Sequence, residues 1–502
     1  MGGLALLLLL PAGGQAKVLS VANKDEFVTA LAQAGPGDVI QLANTQFPAL
    51  QIAGHKYAGT VRIVGSGSTS IAALSISGSA EISLENLTVT PAAGAEALVT
   101  VNRSSAIKFA HVKFNGIDEG TGTELDIGKD ASDVQIADSE FTQCRSGSPC
   151  LQPGGNGITV LRSNFHDCYD CDMVRGGGSN VTFIGNTLQR AFRGSCVIRP
   201  RGGNPCNHND LIQIMGGGPW TIVGNRFGER HSGSAQIWMD PGVNNADNPI
   251  HDVHITSNVF TGTMLYSIRI GKHGLTGPPR NVEIVNNTIL AGTKSAVGVI
   301  PDAYAQMPES QRPLVANNIL GAMEAVTCPR IHSTTNLVIT GHACSSADRV
   351  GAANLSSTQA PTASSVLVIN AADPALAPPT DMLGHSRNGA PDLGAIEYNG
   401  VVQLQLTLPH TITVHLKTLA RQKWAMRVRV GTNTSAALKV RFLRGGRSVA
   451  VGQGRAAKGG TTAVTIHLPR IARRRGNAYL VVSATAPGAR PLTRRILLHI
   501  VA

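Results

Sequence analysis

Apolar and polar residues alternate over short stretches down the middle of the chain, and each stretch ends in the same way. The runs ITVLR, VTFIG, WTIVG, VHITS, VEIVN and PLVAN each lead into an asparagine turn: Ser-Asn-Phe at 163–165, Gly-Asn at 185–186 and 224–225, Ser-Asn at 257–258, and Asn-Asn at 286–287 and 317–318. Alternation with a period of two predicts half-buried β-strands. Asn164, Asn186, Asn225, Asn258, Asn287 and Asn318 are separated by 22, 39, 33, 29 and 31 residues. A strand followed by a turn at this period predicts a stacked solenoid, in which no repeat buries its apolar face without its neighbours. Asparagine tolerates the left-handed conformation of a sharp turn, and its amide can bond to the same amide one coil away. Intervals longer than the bare coil of 22 residues must bulge outward, and the largest bulge falls between Gln189 and Asn209.

Other patterns flank these coils. Residues 23–34 place Phe27, Leu31 and Ala34 on one face behind Asn23, which predicts an N-capped amphipathic helix closing one end of the stack. Residues 4–10 are an apolar run followed by small residues. It reads as a signal peptide over 1–16, and so as a secreted protein. No other run has the length of a membrane span. From Val401 onward there are 18 Lys and Arg and no Asp or Glu, against a formal charge of +12 for all 502 residues. Seven alternating runs in this tail predict a basic β-sandwich, immunoglobulin- or fibronectin-III-like, over 400–502. Its charge suits attachment to an anionic polymer or the cell envelope. No nucleic-acid-binding motif accompanies it, so nucleic acid is not the expected partner.

Eight cysteines suit an oxidising compartment. Cys144 and Cys168 occupy equivalent places in consecutive coils, followed by Cys150 and Cys171; alternatively Cys144–Cys150 and Cys168–Cys171 close small loops. Cys168-x-x-Cys171 has no matched second pair for zinc, so structural disulfides are expected. Cys196 with Cys206 would staple the long bulge, and Cys328 with Cys344 a late loop.

Aligning one strand per coil gives an outward column of Asp126, Gln152, Asp172, Gln213, Trp238 and Arg269, with Asp240 just beyond Trp238. A polar, charged and aromatic column suits a sugar-binding groove. His208 and Asp210 stand where the long bulge rejoins the sheet, with Asp170 and Asp172 one coil earlier. Asp170, Asp172 and Asp210 could hold calcium, form an acid/base pair, or merely cap loops. Arg175, Arg193, Arg199, Arg201, Arg269 and Lys272 surround them, and Tyr169 and Tyr266 extend the aromatic surface. In β-elimination on a uronate, His208 or Lys272 would be the base and Arg269 would neutralise the carboxylate.

The cap helix followed by PGDVIQLA at 36–43, the Asn-turn coils, and Ala-Pro-Asp-Leu-Gly-Ala-Ile-Glu-Tyr at 390–398 together resemble secreted right-handed parallel β-helix proteins. The opening is similar to chondroitinase-B-like and alginate-lyase-like polysaccharide lyases. The resemblance implies an all-β, right-handed parallel β-helix over 17–399 and action on polysaccharide. It also implies a Lys base, an Arg one coil later and a bound calcium. Arg269-Ile-Gly-Lys272-His273-Gly274 resembles the Arg-bearing coil. The expected function is therefore cleavage of acidic polysaccharide by β-elimination. The alternatives are a non-catalytic polysaccharide-binding or envelope-associated protein, and a glycoside hydrolase using the groove carboxylates.

Overall fold

The computed structural model describes residues 16–90, 97–116, 123–144, 148–169, 171–192, 210–228, 235–240, 247–271, 277–387, 389–398, 406–409, 411–432, 436–457, 460–486 and 491–502. The predicted signal peptide lies almost wholly outside them, as do Asp170, Arg193, Cys196, Arg199, Arg201, Cys206, His208, Lys272 and the Tyr169 side chain. The chain divides into two compact units, 1–351 with 370–396, and 352–369 with 397–502.

The first unit is a parallel β-helix. One face is a sheet of ten parallel strands, one per coil, from Leu50–Ala53 to Ser295–Val299. Two further strand columns, joined at a tight corner in each coil, form the 24-stranded sheet. Residues flanking the outward column, such as Ile212, Ile214, Ile237, Met239, Ile268 and Ile270, are fully buried, as the alternation predicts. Like side chains stack from coil to coil: the Phe141 ring lies 4.4 Å from Phe114 and 4.3 Å from Phe165, and Phe227 lies 4.5 Å from Phe260.

The helix Lys24–Gln33 caps this unit as expected and buries Phe27, Ala30 and Leu31. Asn23 Oδ1 accepts the Glu26 N–H at 3.0 Å, while Glu26 Oε2 accepts the Ala22 N–H at 2.6 Å. Asn23 thus satisfies one N–H that the first turn leaves unpaired, and Glu26 ties the residue before the cap to the helix.

Each corner divides its work between two adjacent residues, which corrects the sequence reading. The left-handed backbone belongs to the first residue: Gly185, Gly224, Ser257, Asn286 and Asn317 have φ of 66, 66, 54, 52 and 57°. The second residue turns its amide inward. Asn186, Asn225, Asn258, Asn287, Asn318 and Asn336 are all buried. The Asn225 Oδ1 accepts both the backbone N–H and the Nδ2–H of Asn186, at 2.8 and 3.0 Å. The pair Asn225–Asn258 repeats this at 2.8 and 3.0 Å, and the pattern continues through Asn287, Asn318 and Asn336. Earlier coils use Ser139 and Ser163 in the same place, so Asn164 is one residue out of register with the ladder. Asp348 ends it: Oδ1 accepts from the Asn336 backbone N–H and Nδ2, and Oδ2 from the Ser333 hydroxyl and the N–H groups of Cys344 and Ser345.

Cys328 is joined to Cys344, as expected. Cys144 is joined to Cys150, the small-loop alternative, and not to Cys168 on the next coil.

In the second unit, a three-stranded and a five-stranded sheet share one apolar core. Val428, Val430, Val464 and Ile466 come from the first sheet; Val440, Phe442, Leu480, Val482 and Leu498 come from the second. Pairing is antiparallel except for Thr411–His415 beside Leu492–Val501. The strand Arg447–Ala456 was not foreseen, because its Gly- and Ala-rich sequence carries little apolar alternation.

Candidate functional site

The outward column of the ten-stranded sheet is fixed by register. Asp126 pairs with Gln152, Arg175 with Gln213, Gln213 with Trp238, Trp238 with Arg269, and Arg269 with Gly298. Leu151 opposite Val174 puts Arg175 next to Gln152. Arg175 therefore occupies the place that the sequence alignment gave to Asp172. The strand here is only Val174–Gly176, so matching Val174 to Leu151 and Ile212 is the signal that would have located it. Parallel strands lie about 4.8 Å apart, so Arg175 and Arg269 stand roughly 14 Å apart along the column, with Gln213 and Trp238 between them.

Arg269 is the most distinctive group of the column. Its guanidinium carbon lies 5.2 Å from the Trp238 ring centroid and 5.8 Å from that of Tyr266. Cation–π attraction holds it between the two faces. Its Nε is buried without a hydrogen-bond partner, and among the described residues no carboxylate forms an ion pair with it. Trp238 is only 8% exposed, so Arg269 and Tyr266, both half-buried, present most of the surface. Gly298 completes the arrangement: a Cβ there would lie 2.4 Å from the Tyr266 ring. Beyond Tyr266 opens a cavity of ≈ 270 Å³, lined by Gly298, Ile300, Asp302, Glu324 and Arg330 among others.

Asp172 and Asp210 sit beside the column and act on the backbone. Asp172 Oδ1 accepts the Asp210 N–H at 2.7 Å, and Asp210 Oδ1 accepts the Ala235 N–H at 3.0 Å. Each carboxylate thus caps the following coil. Asp172 Oδ2 also lies 3.3 Å from Arg175 Nη1. A cation thus opposes Asp172, and Asp170, the third carboxylate of the expected calcium set, lies outside the described residues. Asp240 is buried just past Trp238. Asp126 accepts from Gln152 Nε2 at 3.2 Å, and burial raises its pKa above the usual carboxylate value.

Sequence reasoning overlooked Glu124, which is 2% exposed and whose two carboxylate oxygens have no hydrogen-bond partner. Burial pushes its pKa well above the usual carboxylate range. Its position in a strand of alternating residues gave no hint, because Glu124 precedes the inward Leu125.

No curated protein matches the sequence. Among solved structures, the chain is similar to pectate lyase Pel9A, with a TM-score of 0.45 and 14% identity over 76% of this chain and 97% of that one. The PL6 family alginate lyase AlyGC gives 0.36 and 12%, covering 79% of this chain and 61% of that one. The catalytic domain of a GH87 alpha-1,3-glucanase in complex with nigerose gives 0.33 and 12%, covering 68% and 69%. Residues 72–227 match the family described as a right handed beta helix region.

Proposed function

We propose that this is a secreted, carbohydrate-active protein that holds an acidic polysaccharide along the ten-stranded sheet and cleaves it by β-elimination. The observation that carries the reading is Arg269, a half-buried cation with no carboxylate partner among the described residues, framed by Trp238 and Tyr266. A sugar carboxylate supplies the missing counter-charge, and the aromatic edges supply an apolar surface for the pyranose ring. Arg175, part-exposed on the same column, offers a polar contact to a unit further along the stack.

In the reaction, Lys272 or His208 takes the proton from the carbon beside the carboxylate. Arg269 stabilises the enolate that forms. Its electron pair then closes a double bond to the neighbouring carbon as the glycosidic oxygen leaves and is protonated. In the same proposal the 400–502 module, which lacks acidic residues, holds the anionic polymer or the envelope that contains it.

Incubation with alginate, pectate and glycosaminoglycans, with and without calcium, tests this through the ultraviolet absorbance of unsaturated uronate. Absorbance on one polymer supports the lyase. Retention without absorbance identifies a binding protein, and new reducing ends without absorbance identify a hydrolase.

A further inference from the structure

Cys144, Cys150, Cys168 and Cys171 are all buried, and their four sulfurs lie within 4.8 Å of one another. Cys168 Sγ is 3.0 Å from Cys150 Sγ and 3.2 Å from Cys144 Sγ, while Cys171 Sγ is 3.4 Å from the Cys144 carbonyl oxygen. Two separate disulfides need their sulfurs close only in pairs. Here Cys168 is about equally near both sulfurs of an existing bond, and all four converge on one point. Tetrahedral zinc with Zn–S of about 2.3 Å sets its sulfurs roughly 3.8 Å apart, within the range spanned here. The second cysteine pair that the sequence lacked is supplied by folding, because Cys144 and Cys150 sit one coil before Cys168 and Cys171.

We infer that the Cys144/Cys150/Cys168/Cys171 quartet, when reduced, is a thiolate site for a soft divalent cation of the zinc class. The Cys144–Cys150 bond is the competing oxidised state. A dithiol reductant opens it, supplying two electrons and two protons and becoming a disulfide itself; the metal then displaces the thiol protons. The coils on either side are thereby cross-linked by the ion in place of one six-residue loop.

The full chain, reduced with a dithiol and exchanged into Zn²⁺ or Cd²⁺, tests this. The expected result is one tightly held metal per chain by elemental mass spectrometry, with a sulfur-to-cadmium charge-transfer band of tetrathiolate intensity. Cys168→Ser should weaken retention at least tenfold, while Cys328→Ser/Cys344→Ser should leave it unchanged. If Cys168→Ser fails to fold, the band intensity of the unaltered chain still counts the thiolates. Folded, reduced protein that retains no metal overturns the inference. So does peptide mapping that finds the quartet closed as two disulfides resistant to the reductant in the folded chain.

Discussion

Replacing Asn258 by alanine tests whether the amide ladder holds the coils together. Asn258 Oδ1 is the acceptor for both the backbone N–H and the Nδ2–H of Asn225, at 2.8 and 3.0 Å. Its own Nδ2 donates to the Ile222 carbonyl at 2.8 Å and to Asn287 Oδ1 at 3.0 Å. Truncation leaves two buried donors of Asn225 without an acceptor, and the Ile222 carbonyl without this donor. An abandoned buried donor costs about 1–3 kcal/mol, so the loss should be about 2–6 kcal/mol, nearer the lower end if water enters. Asn258→Ser should recover about half of it, because the Ser139 and Ser163 hydroxyls already accept the Val112 and Ser139 N–H groups in earlier coils. Asn281→Ala removes an amide of similar size whose bond to Asp252 is exposed, and should cost about 1 kcal/mol, chiefly because its backbone is left-handed with φ of 48°. Guanidinium unfolding followed by circular dichroism and tryptophan fluorescence measures all three. An Asn258→Ala variant within about 0.5 kcal/mol of the parent, or no worse than Asn281→Ala, would refute the reasoning.

Three further outcomes are expected. Arg269→Ala should weaken retention on an immobilised acidic polysaccharide by several-fold, and the difference from the parent should shrink as salt rises, since salt screens the pair; equal retention at low salt would exclude Arg269. Gly298→Ala should lower retention without removing any charge, because its Cβ would displace the Tyr266 ring that frames Arg269; the overpacking should cost about 1–3 kcal/mol of unfolding stability. Arg190, aided by His166, holds the Asp167 carboxyl at about 2, below its ordinary value of 3.8. This stabilisation is therefore present above the ordinary value and is lost as pH falls toward the folded one. Solvent screening limits it to about 1 kcal/mol, so Arg190→Gln should be less stable near neutrality and converge with the parent in acid. A constant difference at every pH would contradict it.

The coils were legible because alternation and asparagine recur together, and both are local signals. The split between a left-handed residue and a ladder residue was not, since the two are adjacent and often both asparagine, as at 286–287 and 317–318. The column was legible where strands carry bulky inward residues on both sides, as at Gln213, Trp238 and Arg269. It failed at Asp172, where the strand shortens to three residues and a backbone-capping carboxylate mimics a groove residue. The approach of Cys144 to Cys168 was legible from their equivalent places in consecutive coils, whereas the gathering of all four sulfurs was not, because spacing along the chain does not report distances between side chains. Glu124 was hidden because a single buried carboxylate breaks no pattern.

Every rung of the asparagine ladder donates in the same sense, toward the later coil, and the series closes on the carboxylate of Asp348. The ladder is therefore polar, with amide dipoles aligned and each bond strengthening the next. It also has a terminus that accepts and never donates. Such a ladder works as a counter for repeats. Removing one whole coil rejoins identical rungs, whereas removing one rung leaves a gap that neither neighbour can span. Lineages of this fold can thus lengthen or shorten by complete turns while the single residues at the corners stay constrained.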